Sequence, residues 1–386
     1  MNYVTDIKHS HNETTFSLTN INNSLANALR RIIISEFQTV GFRYHESSTD
    51  IKILTNNTKF HNEYIAHRIS MIPLHGVEPS NFEIEKYKFV INKKNTSADK
   101  IYITSEDFEV YEKDDQEKWV LNKEKGSSFF KPNKISKDYI LICTLKENVS
   151  SEIEELHLEC FPSISNGLEN IHYSPVSKCV LFNRINDNIY QQKVKELTEG
   201  KNPSEVEDIV KNFDYLEAER CFMRDDDGEP FEFTMSMESI GTFSNNDIFL
   251  GSLKLLIEKI QLFNSNIQEN KLKMTFSNQI DFNAIDIVIP DESHTLGNMF
   301  QAYLYKYFML SEQRLSFVGY DKVHPLDHHI ILRISSSDKD KNLSEYISEI
   351  KECIQETSNN LIKILTVIEK EWKLQSKSKK ISIKKK

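Results

Sequence analysis

Glycine and proline are scarce in this chain, 10 and 9 among 386 residues. Loops that cradle phosphate need clustered glycines, so this scarcity argues against a nucleotide-gripping site. Cysteine is equally thin. Cys143, Cys160, Cys179, Cys221 and Cys353 stand singly with no Cys-x-x-Cys pair, which fits reduced core thiols better than a disulfide framework or a zinc site. No apolar run reaches the eighteen or so residues a membrane span needs, and the opening MNYVTDIKHSHNET has neither a charged leader nor an apolar core. No membrane contact and no secretion are expected, so the protein is expected inside the cell. Positive charge is also short: the formal net charge is −10 and no basic stripe stands out. A chain whose main work is gripping phosphates is therefore not expected, and DNA or RNA should be reached only indirectly, through partners.

What is present is an ordinary globular composition, 39% hydrophobic and 27% charged, with length for two or three domains. One stretch organises the rest. In NNSLANALRRIIISEF, from Asn22 to Phe37, Ser24 stands in the N-cap place and Leu25, Ala28, Leu29, Ile32 and Ile33 follow at helical spacing. A second copy, SHTLGNMFQAYLYKYF, runs from Ser293 to Phe308. There Thr295 takes the cap place, Leu296 matches Leu25, Gly297 matches Ala26, and Met299, Phe300, Tyr303 and Leu304 repeat the stripe. Helices this short are marginal alone, so both stripes must be buried.

Around these copies the chain reads as two versions of one half. Met1 to Leu18 suggests two short strands. Phe60, Tyr64, Ile65 and Ile69 mark a short helix stopped by Pro73, and Phe82 to Leu145 turns to strand patterns, a β-rich insert. Tyr190 to Lys211 is helical, polar and peripheral. Asp247 to Phe263 carries a long amphipathic helix, and a short connection, Asn264 to Asn283, leads to the second half. There Ala284 to Pro290 alternates as a strand, Ser316 to Ile334 reads as two strands about a turn at His324 to Asp327, and Leu343 to Trp372 keeps a heptad-like seam through Leu343, Ile347, Ile350, Ile354, Leu361, Leu365, Ile368 and Trp372. The expected divisions are 1–45 and 166–275 for the first module, 46–165 for the insert, 276–375 for the second module and 376–386 for a basic tail. The fold class is α+β with an internal repeat at domain scale.

LANALRRIIISE followed by NTKFHNEYIAHRISMIPL resembles the signature of the alpha-type subunit of multisubunit DNA-directed RNA polymerases, including the third-largest subunit of the eukaryotic enzyme. DESHTLGNMFQAYL followed by FVGYDKVHPLDHHIILRI is similar to its smaller partner, the eleventh subunit. GLENIHYSPV and FEFTMSMESIG extend the resemblance over most of the chain, and a single chain with both members resembles the fused form encoded by large nucleocytoplasmic DNA viruses. The resemblance implies two pseudo-symmetric modules that pair within one chain to form a platform. On it the largest and second-largest polymerase subunits would assemble, with small zinc-bearing subunits as further partners and a virion or host-cytoplasm location. Some relatives hold zinc or an iron–sulfur cluster in the insert through clustered cysteines; that spacing is missing here, and no metal or cofactor is expected.

The intramolecular interface is expected at Leu25, Ala28, Leu29, Ile32, Ile33, Leu296, Met299, Phe300, Tyr303 and Leu304. Arg30 and Arg31 beside the first stripe offer bidentate donors for a carboxylate-bearing partner, against a reading as an exposed helix face. His67 and Arg68 admit the same two readings. Pro73 and Pro325 set turns, and with His324 they complete the docking candidates. His328 and His329 are adjacent on a strand and face opposite sides, so they do not chelate together. The loop Asp225 to Gly228, DDDG, reads as an acidic hairpin turn, with a divalent-metal site as the alternative. With no nucleophile elbow, HExxH or glycine-framed carboxylate pair, the chain is expected to be a non-catalytic assembly subunit; the alternatives are a stand-alone interaction protein and a metal-dependent enzyme using Asp225 to Asp227.

Overall fold

The computed structural model describes residues 2–45, 48–147, 153–276, 284–338 and 342–383, with 48 and 377–383 described by backbone alone. The chain forms two compact units. The first gathers Met1–Ile33, Lys178–Glu238 and Asn245–Lys386; the second holds Ile34–Ser177 and Ser239–Ser244.

The first unit contains the same topology twice. Strands β1 (Val4–Ser10) and β2 (Glu13–Thr19) form a hairpin, then helix α1 (Asn23–Ser35) follows. Later the chain adds β14 (Val176–Asn183) and β15 (Glu232–Ser239), then helix α6 (Asn245–Gln268), and the sheet order is β1-β2-β15-β14. In the second half β16 (Lys273–Phe276) and β17 (Ile285–Pro290) pair antiparallel, α7 (His294–Leu304) follows, then β18 (Leu315–Asp321), β19 (His329–Ser336) and α8 (Leu343–Ile383). Its sheet order is β16-β17-β19-β18. Strand for strand and helix for helix the halves correspond, so the repeat seen in two short motifs extends to a complete sheet with two helices.

The alternation of β17 explains its place. Ile285, Ile287 and Ile289 are buried while Asp286 points outward, where Arg333 of β19 donates to its carboxylate from Nε at 2.6 Å and from a terminal nitrogen at 2.7 Å. Helix α8 keeps its seam at Ile350, Ile354, Leu361, Leu365, Ile368 and Trp372, all fully buried. Leu343 departs from the expectation. It is exposed, and Tyr346 is the first buried residue of the helix, its hydroxyl accepting from the Ser336 amide at 2.7 Å.

The polar stretch between β14 and β15 is two helices rather than one, α4 (Asp187–Thr198) and α5 (Pro203–Leu216), because Pro203 lacks the amide to continue a helix but suits its first turn. They share a small apolar cluster of Phe213, Ala218 and Cys221 with Ile189, Tyr190 and Val194 against it. Helix α6 runs past Phe263 to Gln268, and β16 follows, so the expected connection is mostly regular structure; residues 277–283 lie outside the described residues.

The second unit carries the insert. Strands β6 (Ile51–Asn56), β7 (Tyr87–Lys94), β9 (Glu109–Lys113), β10 (Trp119–Leu121) and β12 (Glu155–Cys160) form one sheet in the order β10-β9-β7-β12-β6. Pairs β8 (Ile101–Thr104) with β11 (Leu141–Leu145), and β4 (Tyr44–His45) with β5 (Ser48–Thr49), complete it, together with helices α2 (Asn62–Ser70) and α3 (Lys123–Phe129). Phe82 to Lys86, expected as strand, is loop and a short 3-10 turn before β7. Its core is aromatic: Phe42, Phe89, Phe108, Phe129 and Phe130 lie in mutual edge and stacked contact. The unit begins at Ile34 and ends near Ser177, wider than the expected 46–165. The reason is pairing across the insert's base. Strand β3 (Gln38–Gly41) pairs with β13 (Ser163–Asn166), and Tyr173 lies against Gly41 while sharing a hydrogen bond with Ser163 Oγ at 2.7 Å.

Candidate interface site

Helix α1 buries Leu25, Ala28, Leu29, Ile32 and Ile33, and α7 buries Leu296, Met299, Phe300, Tyr303 and Leu304; none exceeds 5% exposure. Burying each large side chain contributes about 1.5–3 kcal/mol. The helices also touch directly. Arg31 Nε donates to Thr295 Oγ1 at 2.8 Å, and the Asn22 backbone amide reaches the Tyr303 phenol. Burial pushes that phenol up from its ordinary value despite the amide.

The caps are not where spacing placed them. Asn22, not Ser24, caps α1: its Oδ1 accepts from the Ser24 amide at 2.8 Å and its carbonyl from Leu25 and Ala26. Ser293, not Thr295, caps α7, accepting from the Thr295 amide at 3.4 Å. Both caps shift by the same two residues, so Asn22 and Ser293 are equivalent in the repeat. Ser24 Oγ is left buried without a partner, and Thr295 is freed to meet Arg31. Gly297 is required where it stands: a Cβ there would come within 2.4 Å of the Tyr320 ring.

Further contacts join the two halves within this unit. Phe16 of β2 and Phe249 of α6 close on Trp372 of α8, with centroids 4.8 and 4.2 Å away, and Trp372 Nε1 donates to Asn246 Oδ1 at 3.0 Å. At the opposite end Gln268 of α6 donates to the Lys351 carbonyl of α8 at 3.2 Å. The start of α6 therefore meets the end of α8 and vice versa, an antiparallel pair. Phe263 of α6 meets Phe300 of α7 edge to face at 4.6 Å. Lys259 pairs with Glu292 at 3.0 Å with both side chains largely covered.

Beyond α7 the helix continues as a π turn, Tyr305–Ser311. The wider turn carries the buried stripe to Phe308. It also sets Lys306 3.3 Å from Asp225 and 3.8 Å from Asp227. The DDDG loop is a hairpin turn: Gly228, at φ +84°, donates to the Asp225 carbonyl, and Asp225 Oδ1 accepts the amides of Asp227 and Glu229. Those amides and Lys306 hold the Asp225 carboxyl below its ordinary value against its partial burial. Among the described residues no group of three or more His, Cys, Asp or Glu is arranged to hold a metal ion. All five cysteines are buried and unbridged.

The docking candidates fall in different places. Arg30 is half-buried and bonds Asn27 on its own helix at 2.9 Å, whereas Arg31 points to α7. His324 and Pro325 are exposed at the β18–β19 turn beside Val323 and Leu326, with His324 Nδ1 accepting from the Leu326 amide. In the second unit His67 is exposed, Pro73 is half-buried just after α2, and Arg68 reaches Tyr64 Oη and the Leu141 carbonyl, leaving its Nε buried without a partner. Of the residues whose spacing marks this helix, Phe60 precedes it and, like Tyr64, is exposed. Ile65 and Ile69 alone of that set are buried, while Phe60, Tyr64, His67 and Met71 form an exposed stripe with Phe60 stacked on Tyr64 at 5.2 Å. Spacings of four, three and four residues would have revealed this second stripe.

Comparison with known proteins gives the same two halves. The family model of the RNA polymerase Rpb3/Rpb11 dimerisation domain matches residues 15–260, well over half of the chain, and a second model of the same description matches residues 284–371. The DNA-directed RNA polymerases I and III subunit rpac1 of Dictyostelium discoideum is 27% identical over 304 residues, covering 69% of this chain and 81% of that protein. The DNA-directed RNA polymerase II subunit RPB3 of Schizosaccharomyces pombe is 24% identical over 301 residues, 70% of this chain and 89% of that one. RPB11 of the same yeast is 35% identical over 79 residues, 18% of this chain and 60% of RPB11. The chain therefore belongs to the RNA polymerase Rpb3/Rpb11 dimerisation family and is a fused, non-catalytic alpha-type subunit with both dimerisation domains in one polypeptide.

Proposed function

We propose that the chain scaffolds a multisubunit DNA-directed RNA polymerase by pairing its two dimerisation modules within itself and offering the paired body to the two largest subunits. The observation that carries this reading is the duplicated sheet-and-helix topology with both motif stripes buried in one unit. Leu25, Ala28, Leu29, Ile32 and Ile33 with Leu296, Met299, Phe300, Tyr303 and Leu304 form the internal seam. Fusion fixes a one-to-one ratio of the modules and replaces their bimolecular encounter by an effective concentration of order millimolar.

Docking of the larger subunits is assigned to Arg30, the His324–Pro325 turn, and the exposed α2 stripe with Arg68. Aromatic, methionine and arginine side chains of that kind dominate protein interfaces. Arg31 is assigned chiefly to the seam. Small zinc-bearing subunits are further partners, and the fusion supports a viral transcription machinery housed in the virion and the host cytoplasm. Affinity capture of the tagged chain from its native source, followed by mass spectrometry, tests this. Two very large chains in equal amount are expected; their absence would point to a stand-alone interaction protein.

A further inference from the structure

We infer that the helical hairpin inserted between β14 and β15 is a docking arm for a partner polypeptide whose surface carries lysine and arginine around an apolar recess. The insertion breaks the repeat. In the second half the equivalent strands, β18 and β19, are joined by residues 322–328, whereas residues 184–231 separate β14 from β15.

The hairpin adds little to the core. Helix α4 has no fully buried residue, α5 buries Phe213 alone, and the two share a small cluster of their own. Val206, Ile209, Val210 and Phe213 make the covered face of α5. Its other face is of a different kind: Glu205, Asp208, Asn212 and Tyr215 follow at spacings of three, four and three residues, and all are exposed. Tyr215 is 88% exposed and Leu216 beside it 76%, so neither large side chain supports the fold by burial. Both stand on ordered backbone. The Glu217 amide donates to the Phe213 carbonyl at 2.8 Å, and in the turn that follows the Arg220 amide donates to the Glu217 carbonyl at 2.8 Å and the Cys221 amide to the Ala218 carbonyl at 3.0 Å. A tyrosine and a leucine fixed in the open can enter a recess with little further ordering.

Charge names the occupant. Between residues 203 and 220 six carboxylates stand against two cations, Lys211 and Arg220, a balance of −4. Those cations already face Glu207 at 2.8 Å and Glu217 at 3.9 Å. Such a face repels phosphates, and it repels a second copy of a chain whose own net charge is −10. A basic protein surface is steered towards it, with the apolar pair as the anchor. The α2 stripe and the His324–Pro325 turn are separate surfaces, so the hairpin adds a partner contact to theirs.

The test places the photoreactive residue p-benzoylphenylalanine at position 215 of the full chain in its native source, where the aromatic ring is kept, and sequences the peptides joined to it on irradiation. A crosslink is expected to one segment of another polypeptide, in which lysine and arginine outnumber aspartate and glutamate. Its yield should fall about tenfold when Glu205→Gln, Asp208→Asn and Glu219→Gln are combined in the same chain, with circular dichroism confirming the helices. Leu216→Ala should lower the yield as well, without altering urea unfolding. The inference is overturned by no crosslink, by a crosslink to nucleic acid, to a second copy or to a segment without excess positive charge, or by equal yield from the neutralised chain. A crosslink of the expected kind to a protein outside any polymerase would leave the arm standing and count instead against the scaffold reading.

Discussion

Phe300→Ala is the substitution on which the seam can be judged. The ring is 1% exposed and meets Phe263 edge to face at 4.6 Å, so truncation removes a whole aromatic side chain from a packed site and breaks a contact between the halves. Phe-to-Ala changes in cores cost about 3–5 kcal/mol, and an aromatic pair adds about 0.5–1.5 kcal/mol to the area term. With a urea dependence of about 2–3 kcal/mol/M, the unfolding midpoint of the first unit should fall by about 1–2 M. The assay is urea unfolding followed by circular dichroism, with Leu216→Ala as control. Leu216 is 76% exposed, and its truncation should change stability by no more than about 0.5 kcal/mol. A Phe300→Ala midpoint indistinguishable from the control would refute the packing on which the paired body depends.

Four further outcomes follow from the structure. A double-mutant cycle on Arg31→Ala and Thr295→Val should give a coupling of about 1 kcal/mol or more in urea unfolding, since the bond is charge-assisted and crosses the seam, and additive effects would contradict it. Asp226→Ala should leave calorimetric titration with magnesium and thermal unfolding unchanged, because Asp226 lies in a hairpin turn; a magnesium heat abolished by that change would restore the metal reading. Burial holds the His172 imidazole down at about 4, with His67 and Arg43 acting the same way and Glu169 opposing them. Its folded value is below the unfolded one, so the unfolded chain binds the proton first and stability should fall as pH drops from about 6.5 towards 4. His172→Gln should flatten urea-unfolding stability in that window, and an unchanged pH dependence would count against it. Burial also pushes the Cys143 thiol up to about 11 and those of Cys179 and Cys353 to about 12, so a chromogenic disulfide reagent at mild alkaline pH should label none of these three before unfolding, and their rapid labelling would be inconsistent with the packing.

Periodicity revealed the two buried stripes because each helix buries one face, and the helix motif recurs with Leu25 and Leu296 in register. It could not place the caps. Asn22 and Ser24, like Ser293 and Thr295, are all competent capping residues, and only the packed structure, which needs Thr295 facing Arg31, decides between them. The π turn at Tyr305–Ser311 was invisible for a related reason: Tyr307 and Phe308 both suit a buried stripe, and tertiary packing selected Phe308. Of the docking candidates, Arg31 meets Thr295 of α7 although its chemistry alone suits an outside partner. A guanidinium suits a neighbouring helix's hydroxyl as well as a partner's carboxylate, and sequence spacing carries no information on which one is near. The correspondence of β14 with β18 and of β15 with β19 was hidden by the long insert and by α4 and α5, which separate elements that are contiguous in the second half.

The central claim is that the halves clasp by burial rather than by their covalent tie. A protease site placed between residues 276 and 284 of the full chain separates the two statements directly. After complete cleavage the account expects one species in size-exclusion chromatography at micromolar concentration, holding both fragments in equal amount. Elution of the two fragments as separate species would contradict it.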